Sequence, residues 1–347
     1  MNNYYFNLPQ LTALTIDQRA ALKEPKALAL VGGAGTGKSL VSMYRHLTLC
    51  ENHKNSQLLT YTRTLAYYFK NCMTSNFTAS NNVDTTLHWN NKHPLNGIIR
   101  DEIIVDEAQD VSVEVYKHLI KCCHALSYGA DNAQQLYPLQ GTNTNTLNSV
   151  MCGNSIHSLS KNFRNAREIL RLAQIIFPSA NITSQEISNC QRINGFLPDL
   201  YVTLGYTKYD KENSKRDNKI IELVGDFISE LNHNIGILCP WQSNVIYYKD
   251  LLQAQFPGLS YYSSDADRSI EEGMKQLHIT TFKSAKGLEF DTVIIPDFHR
   301  AFGQKNPKFH IDWKDFYVGC TRARTNLILI SCDAHANLSQ YVNRIEI

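Results

Sequence analysis

No stretch of this sequence approaches the run of about 18 apolar residues that a membrane span requires. The first ten residues, MNNYYFNLPQ, lack the basic start and apolar core of a secretory signal. The nine cysteines are an odd number, and no two are spaced C-x-x-C. Cys122 and Cys123 are adjacent, too close for an ordinary disulfide, and with His124 they lack the second pair of ligands that zinc needs. A disulfide framework is therefore disfavoured. Buried reduced thiols are the expectation, in a reducing compartment, most simply the cytoplasm. With 17 glycines and 10 prolines in 347 residues, the chain is neither fibrous nor disordered. A dominant charge is missing too. A net charge of +2 neither demands nor excludes a nucleic-acid partner, because a groove can be locally basic. Basic clusters stand at Lys161, Arg164, Arg167 and Arg171 and at Arg300, Lys305 and Lys308, and each reads equally as a solvated face. Heptads and internal repeats are absent.

What is present is a globular composition, 43% hydrophobic and 19% charged, in a chain long enough for two domains. Apolar runs at 27–31, 57–61 and 101–105 read as buried strands, and the stretches 38–51 and 65–72 as helices. The later half repeats the rhythm, with helices over 165–176, 219–232, 244–256 and 313–323. Its strands fall at 200–203, 235–239, 278–281, 292–295 and 326–330. Strands alternating with helices predict an α/β fold with parallel sheets covered on both faces. The polar, aperiodic run GTNTNTLN at 141–148 sits where two equal halves would meet, which predicts domains of 1–155 and 156–347.

The chemistry concentrates at two strand ends. Gly32, Gly33, Ala34, Gly35, Thr36, Gly37, Lys38 and Ser39 fit the phosphate-loop pattern G-x-x-x-x-G-K-[ST], with a strand before and a helix after. Glycines let backbone N–H groups converge on phosphate, and the helix dipole favours its charge. Lys38 is suited to bridge the β- and γ-phosphates, and the Ser39 hydroxyl to ligate magnesium. Asp106 and Glu107 end the strand at 101–105. Asp106 suits the magnesium, and Glu107 the attacking water. Together these residues predict magnesium-dependent ATP hydrolysis.

Asp106-Glu-Ala-Gln109 resembles the second motif of UvrD/Rep-type superfamily 1 helicases, and the remaining motifs of that family follow in order. Leu14-Thr-Ile-Asp-Gln18 is similar to the adenine-reading motif, with Gln18 the reader. Leu59-Thr-Tyr-Thr62-Arg63-Thr-Leu65 resembles motif Ia, and Thr86-Leu-His88-Trp89 motif Ib. Ala130-Asp-Asn-Ala-Gln134-Gln-Leu-Tyr137 resembles motif III, which implies that Gln134 senses the γ-phosphate and Tyr137 faces nucleic acid. Leu159-Ser-Lys-Asn-Phe163-Arg164 resembles motif IV, implying that Phe163 stacks on adenine and Arg164 reaches the γ-phosphate. Thr281-Phe-Lys283-Ser-Ala-Lys-Gly287-Leu-Glu289-Phe290 is similar to motif V, implying nucleotide contacts from Gly287 and Glu289. Tyr317-Val-Gly-Cys-Thr-Arg322-Ala323 is similar to motif VI, which supplies a second arginine finger, Arg322. The resemblance implies two RecA-like P-loop NTPase lobes with an ATP cleft between them. It also implies strand contacts from Thr62, Arg63, His88, Tyr137 and Lys283, to which Trp241, after Pro240, adds a candidate stacking platform.

The sequence departs from the family at three points. Ala130 stands where motif III usually has glycine, and Lys283 where motif V has histidine. The spacings between Trp89 and Asp101, and between Arg164 and Thr281, leave no room for the family's large inserted domains. The leading expectation is an ATPase translocating on single-stranded DNA, 3′ to 5′, with RNA as the less favoured track. The alternative is an ATP- and DNA-gated regulatory subunit that licenses a partner effector such as a nuclease. A phosphoryl-transfer kinase is disfavoured, since nothing resembles an acceptor site.

Overall fold

The computed structural model describes residues 2–6, 8–93, 97, 99–135, 141–207, 210, 212–263, 273–299 and 312–347. They form two units, Phe6–Asn162 and Met1–Tyr5 with Phe163–Ile347.

In the first unit Thr15 and Gln18 cap helix α1 (Ile16–Lys23) reciprocally, each side chain accepting from the other's backbone N–H. Then come β1 (Leu28–Val31), α2 (Lys38–Glu51), β2 (Ser56–Thr60), α3 (Arg63–Cys72), α4 (Phe77–Asn81), β3 (Val83–Thr85) and α5 (Thr86–Lys92). The unit finishes with β4 (Arg100–Val105), α6 (Val113–Leu119), β5 (Cys123–Ala130), α7 (Thr144–Val150) and β6 (Ser155–Ser158). All six strands are parallel, in the order β3-β2-β4-β5-β1-β6. Strand β1 shows why its sequence is an unbroken apolar run: Ala29 packs into the core on one face, and Leu28 and Leu30 into the core on the other.

The second unit contains α8 (Arg167–Ile176), α9 (Ser184–Ser188), β7 (Asp199–Val202), α10 (Ser214–Ile228), β8 (Ile235–Cys239) and α11 (Gln242–Gln253). Strands β9 (Ser260–Tyr261), β10 (Leu277–Thr281) and β11 (Phe290–Ile295) follow, then α12 (Trp313–Cys320), β12 (Ala323–Ser331) and β13 (Asn343–Glu346). Its sheet is also wholly parallel, in the order β13-β7-β12-β11-β8-β10-β9. The N-terminal residues join this unit. Tyr4 N donates to Met274 O at 3.0 Å, Tyr5 N to Asn234 Oδ1 at 2.8 Å, and the Tyr4 ring meets Phe290 edge-on.

The observed division thus differs from a cut at 155/156. Strand β6 pairs with β1 and stays with the first unit, while residues 2–5 bond to the second. The run at 141–148 also differs from an aperiodic loop. Asn143 caps α7, whose Leu147 is fully buried and whose Val150 packs against the same core, while its other residues are polar. Among the described residues no helix is long and apolar enough to cross a membrane. All nine cysteines are free, and burial pushes the Cys123 thiol up to about 12.

A buried ion pair ties the first unit together at the amino end of β4. Arg45 grips Glu102 through Nε at 2.6 Å and Nη2 at 3.0 Å, and also donates to the carbonyls of Glu24 and Lys26. Removing one partner strands the other charge in the interior. Arg45→Ala is expected to cost about 3–5 kcal/mol, measured as a lower urea midpoint at unchanged slope.

Two buried histidines set an acid limit. Burial lowers His46 to about 4 and His278 to about 3, from an ordinary 6.5. The unfolded chain therefore takes up protons near pH 6.5 that the folded chain refuses, so stability is full above that pH and falls below it. The thermal midpoint is expected to drop steadily between pH 6.5 and 4; a flat midpoint across that window would contradict the burial of both rings.

Candidate active site

The parallel register brings the carboxyl ends of three strands level: Val31 of β1 pairs with Ala130 of β5, and Val105 of β4 with Tyr128. Ligand sites of such sheets lie beyond these ends. The loop after β1 runs into α2, and Gly37 stands at its N-cap with φ 89°, a left-handed conformation that favours glycine. A Cβ there would also collide with the Gln18 amide. That amide donates to Thr36 O at 3.1 Å while its oxygen accepts Thr15 N at 3.0 Å, so Gln18 fixes the loop from α1. Asn162 does the same from the other side, its Nδ2 donating to Ala34 O at 2.7 Å. Asn162 adjoins Phe163 and Arg164 in one motif, but its anchoring partner lies 128 residues away, so no local pattern marks the role.

Lys38 folds back over the loop, with Nζ donating to Gly32 O at 2.8 Å and Gly33 O at 2.9 Å. Ser39 Oγ donates to Asp106 Oδ2 at 2.7 Å, and Ser42 Oγ to Oδ1 at 3.3 Å. Burial, reinforced by the neighbouring Glu107 carboxylate, pushes the Asp106 carboxyl well above the usual range, against the pull of Ser39, Lys38 and Ser42. A hydroxyl and a carboxylate at hydrogen-bond distance, in a site that penalises an uncompensated negative charge, fit magnesium. That ion takes few protein oxygens and completes its shell with water and phosphate. Among the described residues no larger cluster of His, Cys, Asp or Glu could hold a metal.

Glu107 follows directly in a left-handed conformation, φ 55° and ψ 42°, rare for a residue with a side chain. Its Oε2 accepts Gln109 Nε2 at 2.6 Å. Gln134 is buried nearby in sequence to β5, its Nε2 donating to Asp131 Oδ2 at 2.7 Å. Gly129 explains how the motif tolerates Ala130: a Cβ on residue 129 would stand 3.1 Å from Asp106 Oδ1 and 3.6 Å from Lys38 Cβ.

The second unit holds Phe163, Arg164, Gly287, Glu289 and Arg322. Arg164 Nε pairs with Glu289 Oε2 at 3.1 Å, and Arg324 approaches the other oxygen at 3.8 Å. Burial pushes the Glu289 carboxyl up, but Arg164, Arg324 and Arg192 outweigh it and hold the group below its ordinary range. Phe163 is half-buried, and its carbonyl accepts Arg192 Nε at 3.0 Å. Gly287 turns the chain with φ 82°. Arg322 is fully buried, donating to Val318 O at 3.0 Å and Leu288 O at 3.4 Å.

Of the expected strand contacts, Thr62 caps α3 through Leu65 N, Arg63 beside it is exposed, and exposed His88 pairs with Asp84 at 2.7 Å. Trp241 is half-buried at the N-cap of α11, and half-buried Lys283 lies near Asp315, whose carboxyl burial pushes up to about 6 against the pull of the Asp312 backbone and of Lys283. Tyr137 lies outside the described residues. Tyr68 packs as core against Phe6 and Phe69.

A phosphate loop ending on a lysine, an adjoining buried acidic pair and two parallel sheets define a P-loop nucleotide-binding fold. Residues 255–334 match the UvrD-like helicase C-terminal domain and residues 17–130 an AAA domain, and these matches support a UvrD-like superfamily 1 helicase. It is 23% identical over 280 residues to a protein of Acanthamoeba polyphaga mimivirus named a putative ATP-dependent DNA helicase, covering 72% of this chain and 37% of that one. The chain thus spans little more than a third of that relative's length. The crystal structure of Arterivirus nonstructural protein 10 (helicase) aligns with a TM-score of 0.45 and 13% identity, over 94% of this chain and 64% of that one.

The close approach of β5 to the acidic residue yields a test. Gly129→Val forces branched carbons against Asp106, an overpacking cost of about 1–3 kcal/mol. Affinity for Mg–ATP is expected to fall by about 5- to 150-fold, read by isothermal titration, with far-UV circular dichroism unchanged.

Proposed function

We propose that this chain is a magnesium-dependent ATPase, stimulated by single-stranded nucleic acid, that couples hydrolysis to movement along single-stranded DNA in the 3′ to 5′ direction. The observation that carries the reading is the joining of Ser39 to Asp106 at 2.7 Å, with Lys38 on the same loop and Glu107 next in the chain. Lys38 neutralises the phosphates, Ser39 and Asp106 hold magnesium, and Glu107 takes a proton from the attacking water. Gln18 reads adenine, Phe163 stacks on it, and Gly287 and Glu289 complete the nucleotide contacts. Arg164 and Arg322 stabilise charge developing on the γ-phosphate, and Gln134 senses it. Thr62, Arg63, His88, Tyr137, Trp241 and Lys283 contact the strand. Nine free cysteines suit a reducing, cytoplasmic setting.

A second reading, a regulatory subunit that licenses an effector such as a nuclease, is favoured by one observation. Helix α5 and strand β4 are separated only by residues 93–99, too short a link for a duplex-gripping domain.

The test pairs site variants with two substrates. Lys38→Ala and Glu107→Gln are expected to lower turnover by about 10²–10⁴-fold, with Glu107→Gln still binding Mg–ATP. Single strands should raise the wild-type rate, the effect weakening steeply with salt as phosphate contacts displace counterions. Blunt duplex should raise it much less, and separation of a tailed duplex should be weak. Undiminished hydrolysis in Lys38→Ala would sink the site, and indifference to every nucleic acid would favour the regulatory reading.

A further inference from the structure

The Gln109 side chain is fully buried, so both ends of its amide must find partners inside the protein. It finds them in two different motifs. Nε2 donates to Glu107 Oε2 at 2.6 Å, and Oε1 accepts Asp131 N at 3.0 Å. Asp131 carries the connection onward, since its Oδ2 accepts Gln134 Nε2 at 2.7 Å and its Oδ1 accepts Ala133 N at 2.9 Å. The main chain of residue 109 is gripped by the same stretch and its continuation. Gln109 O accepts Gln135 Nε2 and Thr142 N, both at 3.0 Å. A continuous line of hydrogen bonds therefore runs from the Glu107 carboxylate through Gln109 and Asp131 to Gln134.

Glu107 needs such support. Its left-handed backbone, φ 55°, is a conformation that surrounding structure must impose on a residue with a side chain. The interaction at Oε2 fixes where its carboxylate points, and that direction decides whether a water beside a nucleotide is within reach. The Asp131 amide, at the other end of the same planar group, belongs to the turn after β5. A shift of that turn cannot occur without breaking the bond to Oε1 or turning the amide, and turning it moves the donor away from Glu107. An apolar side chain of equal length would fill the space but transmit nothing.

We propose that Gln109 is a positioning residue that aims the Glu107 carboxylate and makes its aim depend on the turn at Asp131–Gln134. Occupancy of that turn by γ-phosphate or a nucleic-acid strand thereby reaches the hydrolytic base. The proposal rests on Glu107 acting in ATP hydrolysis, as set out above. Gln109 touches neither nucleotide nor metal in this role.

Two variants of nearly unchanged volume test it in the full chain. Gln109→Met loses both hydrogen bonds. Gln109→Glu keeps an acceptor for Asp131 N and loses the donor to Glu107. Both are expected to lower kcat by about 10–100-fold, with the KM for ATP and the affinity for a non-hydrolysable ATP analogue changed less than about 3-fold. Stimulation by an oligo-dT strand should vanish in both. A general packing defect would instead move affinity and thermal midpoint together with kcat. Wild-type kcat and wild-type stimulation in either variant would overturn the proposal. If both variants fail to fold, hydrogen exchange on the wild type decides. Amide protection across 129–134 should change when the ATP analogue and the strand bind together, and no change there would overturn it. A wild-type preparation with no Lys38-dependent hydrolysis would overturn the functional reading itself, and this proposal with it, whereas an active wild type beside unaffected Gln109 variants overturns this proposal alone.

Discussion

The hydrogen bonds from Ser39 and Ser42 to Asp106 are the contacts on which the first unit's site depends. They join the end of β4 to the start of α2 across the intervening strand β5, and they fix one carboxylate where water is scarce. Burial makes that carboxylate reluctant to stay charged, and a divalent cation relieves the same penalty that a proton would. The arrangement leaves little room for a side chain beneath it. Gly129 on β5 leaves room for Asp106 and Lys38, and this absence of atoms is as much a part of the site as the groups that line it.

Around this pair the loop is held by groups that never need to touch phosphate. Gln18 pins Thr36 from one side and Asn162 pins Ala34 from the other, each through a backbone carbonyl. Holding carbonyls outward leaves loop N–H groups to face a phosphate without reorganisation when it arrives. Gln109 plays the corresponding part for Glu107, fixing its carboxylate by a side-chain amide. Such supporting shells decide whether a site is merely present or correctly aimed.

In the second unit the cations are held by a different logic. Arg164 rests on Glu289, which Arg324 and Arg192 also keep ionised, so the carboxylate retains cationic neighbours whatever Arg164 does. Arg322 is buried and donates to carbonyl oxygens of α12 and of Leu288.

The sequence by itself determined the chemistry and the class of fold. Phosphate binding demands glycines and a lysine at fixed local spacing, and buried parallel strands demand unbroken apolar runs, so Gly32–Ser39, Asp106, Glu107 and strands such as β8 at Ile235–Cys239 were legible. Strand β5 was not, because CHALSYGA carries histidine, serine and glycine where β-branched residues would have signalled a strand; its place between β4 and β1 is imposed by the neighbours it pairs with. Helix α7 was hidden because the polar run 141–148 holds only Leu147, and its apolar partners Val150 and Met151 fall beyond that run. The unit boundary, the docking of residues 2–5 on the second unit and the roles of Gln109, Gly129 and Asn162 were decided only by tertiary structure. Each depends on partners 20 to more than 200 residues away in the chain, and a contact of that kind leaves no local pattern.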